Sequence, residues 1–264
     1  MALLLALALP WKVLFYIADM SLNFRQRSPR PELLDQPGIP PQDIALNMQE
    51  LGWINRHLGG HAINISAVHK MLPRTRQVHI CEIGCGGGDN LQAIYNYYKR
   101  RGTVVTVTGI DINPDCIDYA RRHTSVAGAR WICEDYKMVY FNEKPDLIFS
   151  SLFCHHFEQR QLVDMIQYMQ ANATGGFFIN DLHRHPVAYY FIKWATRLFS
   201  RSYLVKHDAP LSVLRAFRKE DWIEILNNAG IVGYKIEWRW AFRYLIMVSR
   251  IKANEHIRYG SIFK

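Results

Sequence analysis

The stretch Gln77-Val-His-Ile-Cys-Glu-Ile-Gly-Cys-Gly-Gly-Gly-Asp-Asn90 decides the fold. Val78, Ile80 and Ile83 form a short apolar run bounded by Pro73 and by glycines, which predicts a buried parallel strand. Glu82 stands at its carboxyl end, and Gly84, Gly86 and Gly88 follow at every second position. Glycine is demanded where a chain turns sharply and its backbone must lie flush against a ligand. Leu91, Ile94, Tyr95 and Tyr98 then recur at helical spacing over 89–100. Strand, glycine loop and helix together make a nucleotide-type pocket. Spacing narrows the ligand: the third glycine of a dinucleotide fingerprint falls on Asp89, and the Gly-Lys-Ser/Thr of a Walker loop is absent.

What remains, acidic-x-Gly-x-Gly-x-Gly, resembles motif I of the class I S-adenosylmethionine-dependent methyltransferases. In that family the acidic residue, here Glu82, helps hold the methionine part of the donor. The chemistry is sensible, because that ligand carries a sulfonium and an ammonium and no phosphate. The resemblance covers 76–181 well and 219–251 loosely. It implies a doubly wound, Rossmann-like α/β sheet of seven strands in the order 3-2-1-4-5-7-6, with the seventh antiparallel between the fifth and sixth.

Alternating strands and helices with short loops support a parallel sheet independently. Strands are expected over 103–110, 131–135, 145–151 and 175–181, with a terminal pair over 232–240 and 242–251. Asp111 ends the second strand, where a carboxylate can accept both ribose hydroxyls; the alternative is a mere cap. Ile112 beside it would lie along the adenine. Asn113 is placed as a helix N-cap with Pro114 in the first turn. In the methyltransferase pattern an acidic residue after strand three accepts from the adenine amino group, and Asp135 fits, with a turn aspartate as the alternative. The candidate donor site is thus Glu82, Gly84, Cys85, Gly86, Gly88, Asn90, Asp111, Ile112, Glu134, Asp135, Tyr136 and Ser150, with S-adenosyl-L-methionine as the implied cofactor.

Methyl transfer needs the acceptor atom held about 3 to 3.5 Å from the methyl carbon, in line with the departing sulfur. A hydroxyl acceptor also needs a base, most often histidine. His155 and His156 follow strand four, and His183 and His185 follow strand five, beside Asp181. His155-His156-Phe157 resembles the His-Asp-Trp segment of plant-type small-molecule O-methyltransferases, which favours His155. Paired histidines here also occur in ubiquinone- and menaquinone-type enzymes without reliably serving as the base. A residue capping the next helix is the plainer alternative. His183 and His185, beside an Asp181 that could orient an imidazole, are the second choice.

Residues 182–217 break the rhythm with an aromatic and basic stretch, read as a helical cap over an apolar cavity at the carboxyl edge of the sheet. Helices over 44–58 and 62–72 precede the first strand, and 20–45, rich in proline, should wrap over the domain. The division expected is an N-terminal segment of 1–75 and a methyltransferase domain of 76–264.

Chain length bounds the rest: 264 residues hold one large domain. The formal charge of +9 is spread along the chain. With no Asn/Asp-Pro-Pro-Tyr/Phe signature in place of Ser150 to Phe153, a nucleic acid acceptor is not expected. The acceptor class expected is a hydrophobic small molecule: a phenol, quinol or polyketide-like compound of the kind met in bacterial secondary metabolism. A C-methyltransferase of quinone biosynthesis and a non-catalytic partner subunit stay open as alternatives. Five scattered cysteines without a C-x-x-C pair suggest neither metal ligands nor disulfides, and favour a reducing, cytoplasmic compartment. The apolar run at 1–9 is too short to span a bilayer. Residues 1–19 are read as a packed helix, a peripheral membrane anchor or an upstream extension.

Overall fold

The computed structural model describes residues 22–72 and 76–250; the expectations for 1–19 and for the tail at 252–264 lie outside these. Seven strands form one sheet: β1 (Gln77–Ile83), β2 (Val104–Asp111), β3 (Arg130–Cys133), β4 (Leu147–Ser151), β5 (Gly176–Leu182), β6 (Tyr234–Arg239) and β7 (Arg243–Ser249). Their order is β3-β2-β1-β4-β5-β7-β6, as the resemblance implies. β1 to β5 run parallel, and β7 is antiparallel to both β5 and β6. β7 is buried along nearly its whole length, which explains the unbroken run Tyr244-Leu-Ile-Met-Val248.

The helices are α1 (Pro41–His57), α2 (Gly60–Met71), α3 (Asp89–Lys99), α4 (Pro114–His123), α5 (Gln159–Asn172), α6 (Pro186–Phe199), α7 (Tyr203–Arg215) and α8 (Lys219–Asn228). α1 starts at Pro41 rather than Ile44, because proline is preorganised for the first helical turn. Gly59, at φ +79°, breaks the chain after α1, and α2 begins at once. Asn113 caps α4 through its side chain, as read.

Two apolar layers flank the sheet. On one face Ile148, Phe177, Ile179 and Ile246 pack against Leu162 and Ile166 of α5 and Trp222 of α8. On the other, Ile80, Val107, Phe149, Phe178 and Leu245 pack against α2 and α3. The sheet therefore presents its carboxyl edge as the open side, and the segment 182–217 crosses that edge as α6 and α7. Residues 22–40 run over α7 as a strap without regular structure. Ser28 donates its backbone N–H to the Leu214 carbonyl, and the N–H groups of Leu33 and Leu34 are held by the Asp208 carboxylate. No helix among the described residues is long and apolar enough to cross a membrane.

Candidate functional site

The glycine loop leaves β1 with Gly84, Gly86 and Gly88 all at positive φ, which strains any residue with a side chain. Their reasons differ. A Cβ on Gly84 would stand 2.2 Å from the Phe153 ring, so the loop lies flush under that ring. A Cβ on Gly88 would meet Trp131 of β3 at 2.5 Å, and Gly88, expected at the donor, borders neither of the cavities described next, so it serves packing against β3.

A cavity of about 780 Å³ opens above the loop. Gly84, Cys85, Gly86, Asn90, Asp111 and Ile112 line it on one side, and His155, His156, α1 and the cap line the rest. A smaller cavity of about 150 Å³ adjoins it and is lined by Glu134, Asp135 and Tyr136 together with Asp111 and Ile112. Phe153 borders both, standing between them over Gly84. Ile112 is 69 % exposed, an apolar side chain uncovered at the rim where the two spaces meet.

Asp111 accepts from the Gly86 N–H at 2.8 Å and from the Asn113 N–H at 2.9 Å, which fixes its carboxylate at the junction. Burial raises its pKa against those two hydrogen bonds. Asp135 Oδ1 accepts from the Lys137 N–H, so it caps a turn and faces the smaller cavity at once. The Tyr136 hydroxyl is buried without a partner among the described residues.

Glu82 is fully buried beneath the loop and does not border the cavity; Asn90 stands between. Glu82 Oε1 accepts from Asn90 Nδ2 at 2.8 Å, while Oε2 has no partner among the described residues. Burial, and next the charge of Asp89, hold the Glu82 pKa well above the usual carboxylate range. A buried carboxyl among other acids is costly to ionise unless a cation stands beside it. The polar chain continues from Asn90 to Asn64, and from Asn64 to Ser151 and Asn180, tying the ends of β4 and β5 to α2. Ser150, predicted here, borders neither cavity: its hydroxyl points into the core, and alternation along β4 brings Ser151 to the cavity instead.

The histidines separate clearly. His155 Nδ1 lies 2.8 Å from Asp181 Oδ1, and its backbone N–H also reaches Asp181. Burial would raise the Asp181 pKa, yet His155 more than offsets this and holds it low. His155 Nε2 faces Glu32 Oε1 at 3.5 Å. His156 Nδ1 lies 3.0 Å from Asp35 Oδ1, with Glu32 Oε2 at 3.7 Å from Nε2. Burial lowers the His156 pKa, and Asp35 and Glu32 more than restore it, so it stands raised. Arg27 and Arg215 donate to the carbonyls of His155, His156 and Phe157, which freezes this turn.

Neither His155 nor His156 caps the following helix; Glu158 does, through a capping box with Gln161. His183 is corrected: it borders neither cavity and packs against His185, Phe242 and Tyr244. Burial and the neighbouring His185 lower its pKa to about 4. His185 caps α6 by accepting from the Val187 N–H. Asp181, expected beside His183 and His185, orients His155 instead, because the end of β5 lies next to the turn after β4.

Glu32, Asp35, Asn55 and Arg243 also border the larger cavity and were not legible as site residues. The first two sit in the proline-rich strap, where no periodicity marks them.

A family model described as a methyltransferase domain matches residues 80–175. Among curated proteins, the chain is 27 % identical over 100 residues to the fatty-acid O-methyltransferase of Mycolicibacterium smegmatis, covering 38 % of this chain and 35 % of that one. It is 32 % identical over 91 residues to the malonyl acyl-carrier-protein O-methyltransferase of Anoxybacillus flavithermus, covering 34 % and 31 %. The matches thus span about a third of the length of these relatives. The plantazolicin methyltransferase BpumL solved with SAH superposes with a TM-score of 0.58 at 16 % identity, over 80 % of this chain and 96 % of that one. A SAM-dependent methyltransferase from Aquifex aeolicus gives 0.56 at 13 % identity, over 80 % and 99 %. At such identities these structures speak for the fold. Residues 80–175 thus match a methyltransferase domain, and the sheet order together with these neighbours gives the chain the Rossmann-like fold of S-adenosylmethionine-dependent methyltransferases.

Proposed function

We propose that the protein methylates an oxygen of a hydrophobic small molecule, using S-adenosylmethionine. The observation that carries this reading is one continuous cavity joining the glycine loop and Asp111 to the Asp181–His155 pair under an apolar cap. Both curated relatives are named O-methyltransferases, which supports the choice of oxygen over carbon.

The residues suit the donor. Asp111 would accept from the ribose, Asp135 from the adenine amino group in the smaller cavity, and the unpaired Glu82, through Asn90, would answer the positive amino-acid end. Bound there, the donor supplies a methyl group on a cationic sulfur. His155 does the remaining chemistry. With Nδ1 donating to ionised Asp181, Nε2 carries the lone pair that takes the proton of an acceptor hydroxyl as its oxygen becomes bonded to carbon. Asp181 and Glu32 on either side stabilise the resulting imidazolium. α6 and α7 keep water out through Ala188, Ile192, Val205 and Val213.

The test is calorimetry with S-adenosylhomocysteine, followed by transfer of labelled methyl to a panel of phenols, hydroxy acids and fatty acids. Binding that Asp111→Ala weakens about 10²-fold, with label recovered as an ether or ester, is expected. Label in a carbon–methyl bond, or no binding, rejects the reading.

A further inference from the structure

Arg243 opens β7 at the carboxyl edge of the sheet, beside Leu182 of β5. It is 2 % exposed, yet it borders the large cavity. Nη2 donates to Asn55 Oδ1 at 3.1 Å, whereas Nε and Nη1 have no partner among the described residues. Burial lowers its pKa to about 10, with Asp181 and Asp89 acting against this from a distance, so the guanidinium is charged at neutral pH. Gly60 makes room for it: a Cβ there would stand 3.1 Å from Nη1. A buried guanidinium with two idle donors is a costly feature unless an anion completes it. Nε and Nη1 lie on opposite edges of the planar group, so each can give one anion oxygen a single charge-assisted hydrogen bond. The walls around it are apolar, with Leu58, Leu182, Ala188, Ile192 and Phe242 on the same cavity.

We propose that Arg243 anchors the carboxylate of the acceptor, which makes the substrate a lipophilic hydroxy acid. This rests on the methyltransferase reading, and it adds the charge of the substrate and the residue that selects for it. The acid end sits at β7, the apolar body lies under α6 and α7, and the hydroxyl reaches His155, whose partner Asp181 is one residue from Leu182. The donor's amino-acid carboxylate is the other source of the same chemistry, and the test separates the two.

Binding is measured by titration calorimetry on the full chain saturated with S-adenosylhomocysteine. The probes are 4-hydroxycinnamate and 10-hydroxydecanoate, each against its own methyl ester. At least one acid is expected to bind about 10-fold or more tightly than its ester. Arg243→Gln should abolish that preference while leaving the ester and S-adenosylhomocysteine bound as before, and Arg243→Lys should restore part of it. Equal binding of acids and esters to the wild type overturns the proposal, and that comparison needs no variant to fold. Loss of S-adenosylhomocysteine affinity in Arg243→Lys or Arg243→Gln overturns it too, by giving the arginine to the donor. Failure of the wild type to bind S-adenosylhomocysteine at all defeats the methyltransferase reading instead.

Discussion

Asp181 Oδ1 and His155 Nδ1 lie 2.8 Å apart, both fully buried, at the ends of neighbouring parallel strands. The pair is a product of topology: β4 and β5 run side by side with Ser151 opposite Asn180, so the residues just beyond them must meet. Asp181→Asn keeps the size and removes the charge that fixes the imidazole tautomer. Turnover is expected to fall about 10²- to 10⁴-fold, with S-adenosylhomocysteine affinity kept. Steady-state kinetics beside calorimetry decides it, and an undiminished kcat removes His155 from the chemistry.

The strap carries its own pH dependence. His156 has a raised pKa, so its contribution is whole below the unfolded value of about 6.5 and fades as pH rises through the folded one. Asp35 has a lowered pKa, the pull of His156 exceeding the opposing effect of burial, so its share is present above about 3.9 and fades as pH falls through the folded value. Attachment of residues 22–40 is thus firmest in the mildly acid range. His156→Gln should lower Tm at pH 5.5 and cost progressively less toward pH 9. A difference independent of pH would mean that the pair is only a neutral hydrogen bond.

Glu82 predicts an exchange between stability and binding. Its raised pKa means that the folded state disfavours the charged form, so the carboxyl weakens the fold at pH 7, where the unfolded glutamate is ionised. Glu82→Gln retains an oxygen for Asn90 and removes the charge. Tm at pH 7 should rise, and the gain should vanish below about pH 4, where the unfolded glutamate is itself protonated. Affinity for S-adenosylhomocysteine should drop about 10-fold, since the ammonium loses its counter-charge. A variant less stable than the wild type at pH 7 would refute the account.

Much of the fold was legible because its signals are local. Glycines at alternate positions after an apolar strand, Asn113-Pro114 at a helix start, and the unbroken apolar run of β7 each state their own geometry. The site was half legible for the same reason. Asp111 and Asp135 sit at strand exits, which sequence order reveals. Asp181 was noticed and given to the wrong histidine, because the nearer residue in sequence is not the nearer in space across parallel strands. Glu32, Asp35 and Arg243 reach the cavity only through the strap's path and the antiparallel return of β7. No pattern marks the strap, and the apolar run of β7 marks a strand without saying what its first residue meets.

Gly84 and Gly86 give a matched pair for the last prediction. Both have positive φ, +71° and +48°, so alanine at either pays a similar backbone penalty, on the order of 1–2 kcal/mol. Beyond this they differ. A Cβ at Gly86 meets the flexible Met48 Sδ at 3.3 Å, whereas one at Gly84 would overlap the Phe153 ring at 2.2 Å. Gly84→Ala should therefore destabilise more than Gly86→Ala, and the excess should belong to Phe153. In a Phe153→Ala background the two alanine variants are expected to cost about the same, which urea unfolding of the double-mutant cycle measures. If Gly84→Ala stays as costly without the ring, the loop's shape is set by its own backbone, and the ring is a bystander at the boundary between the two cavities.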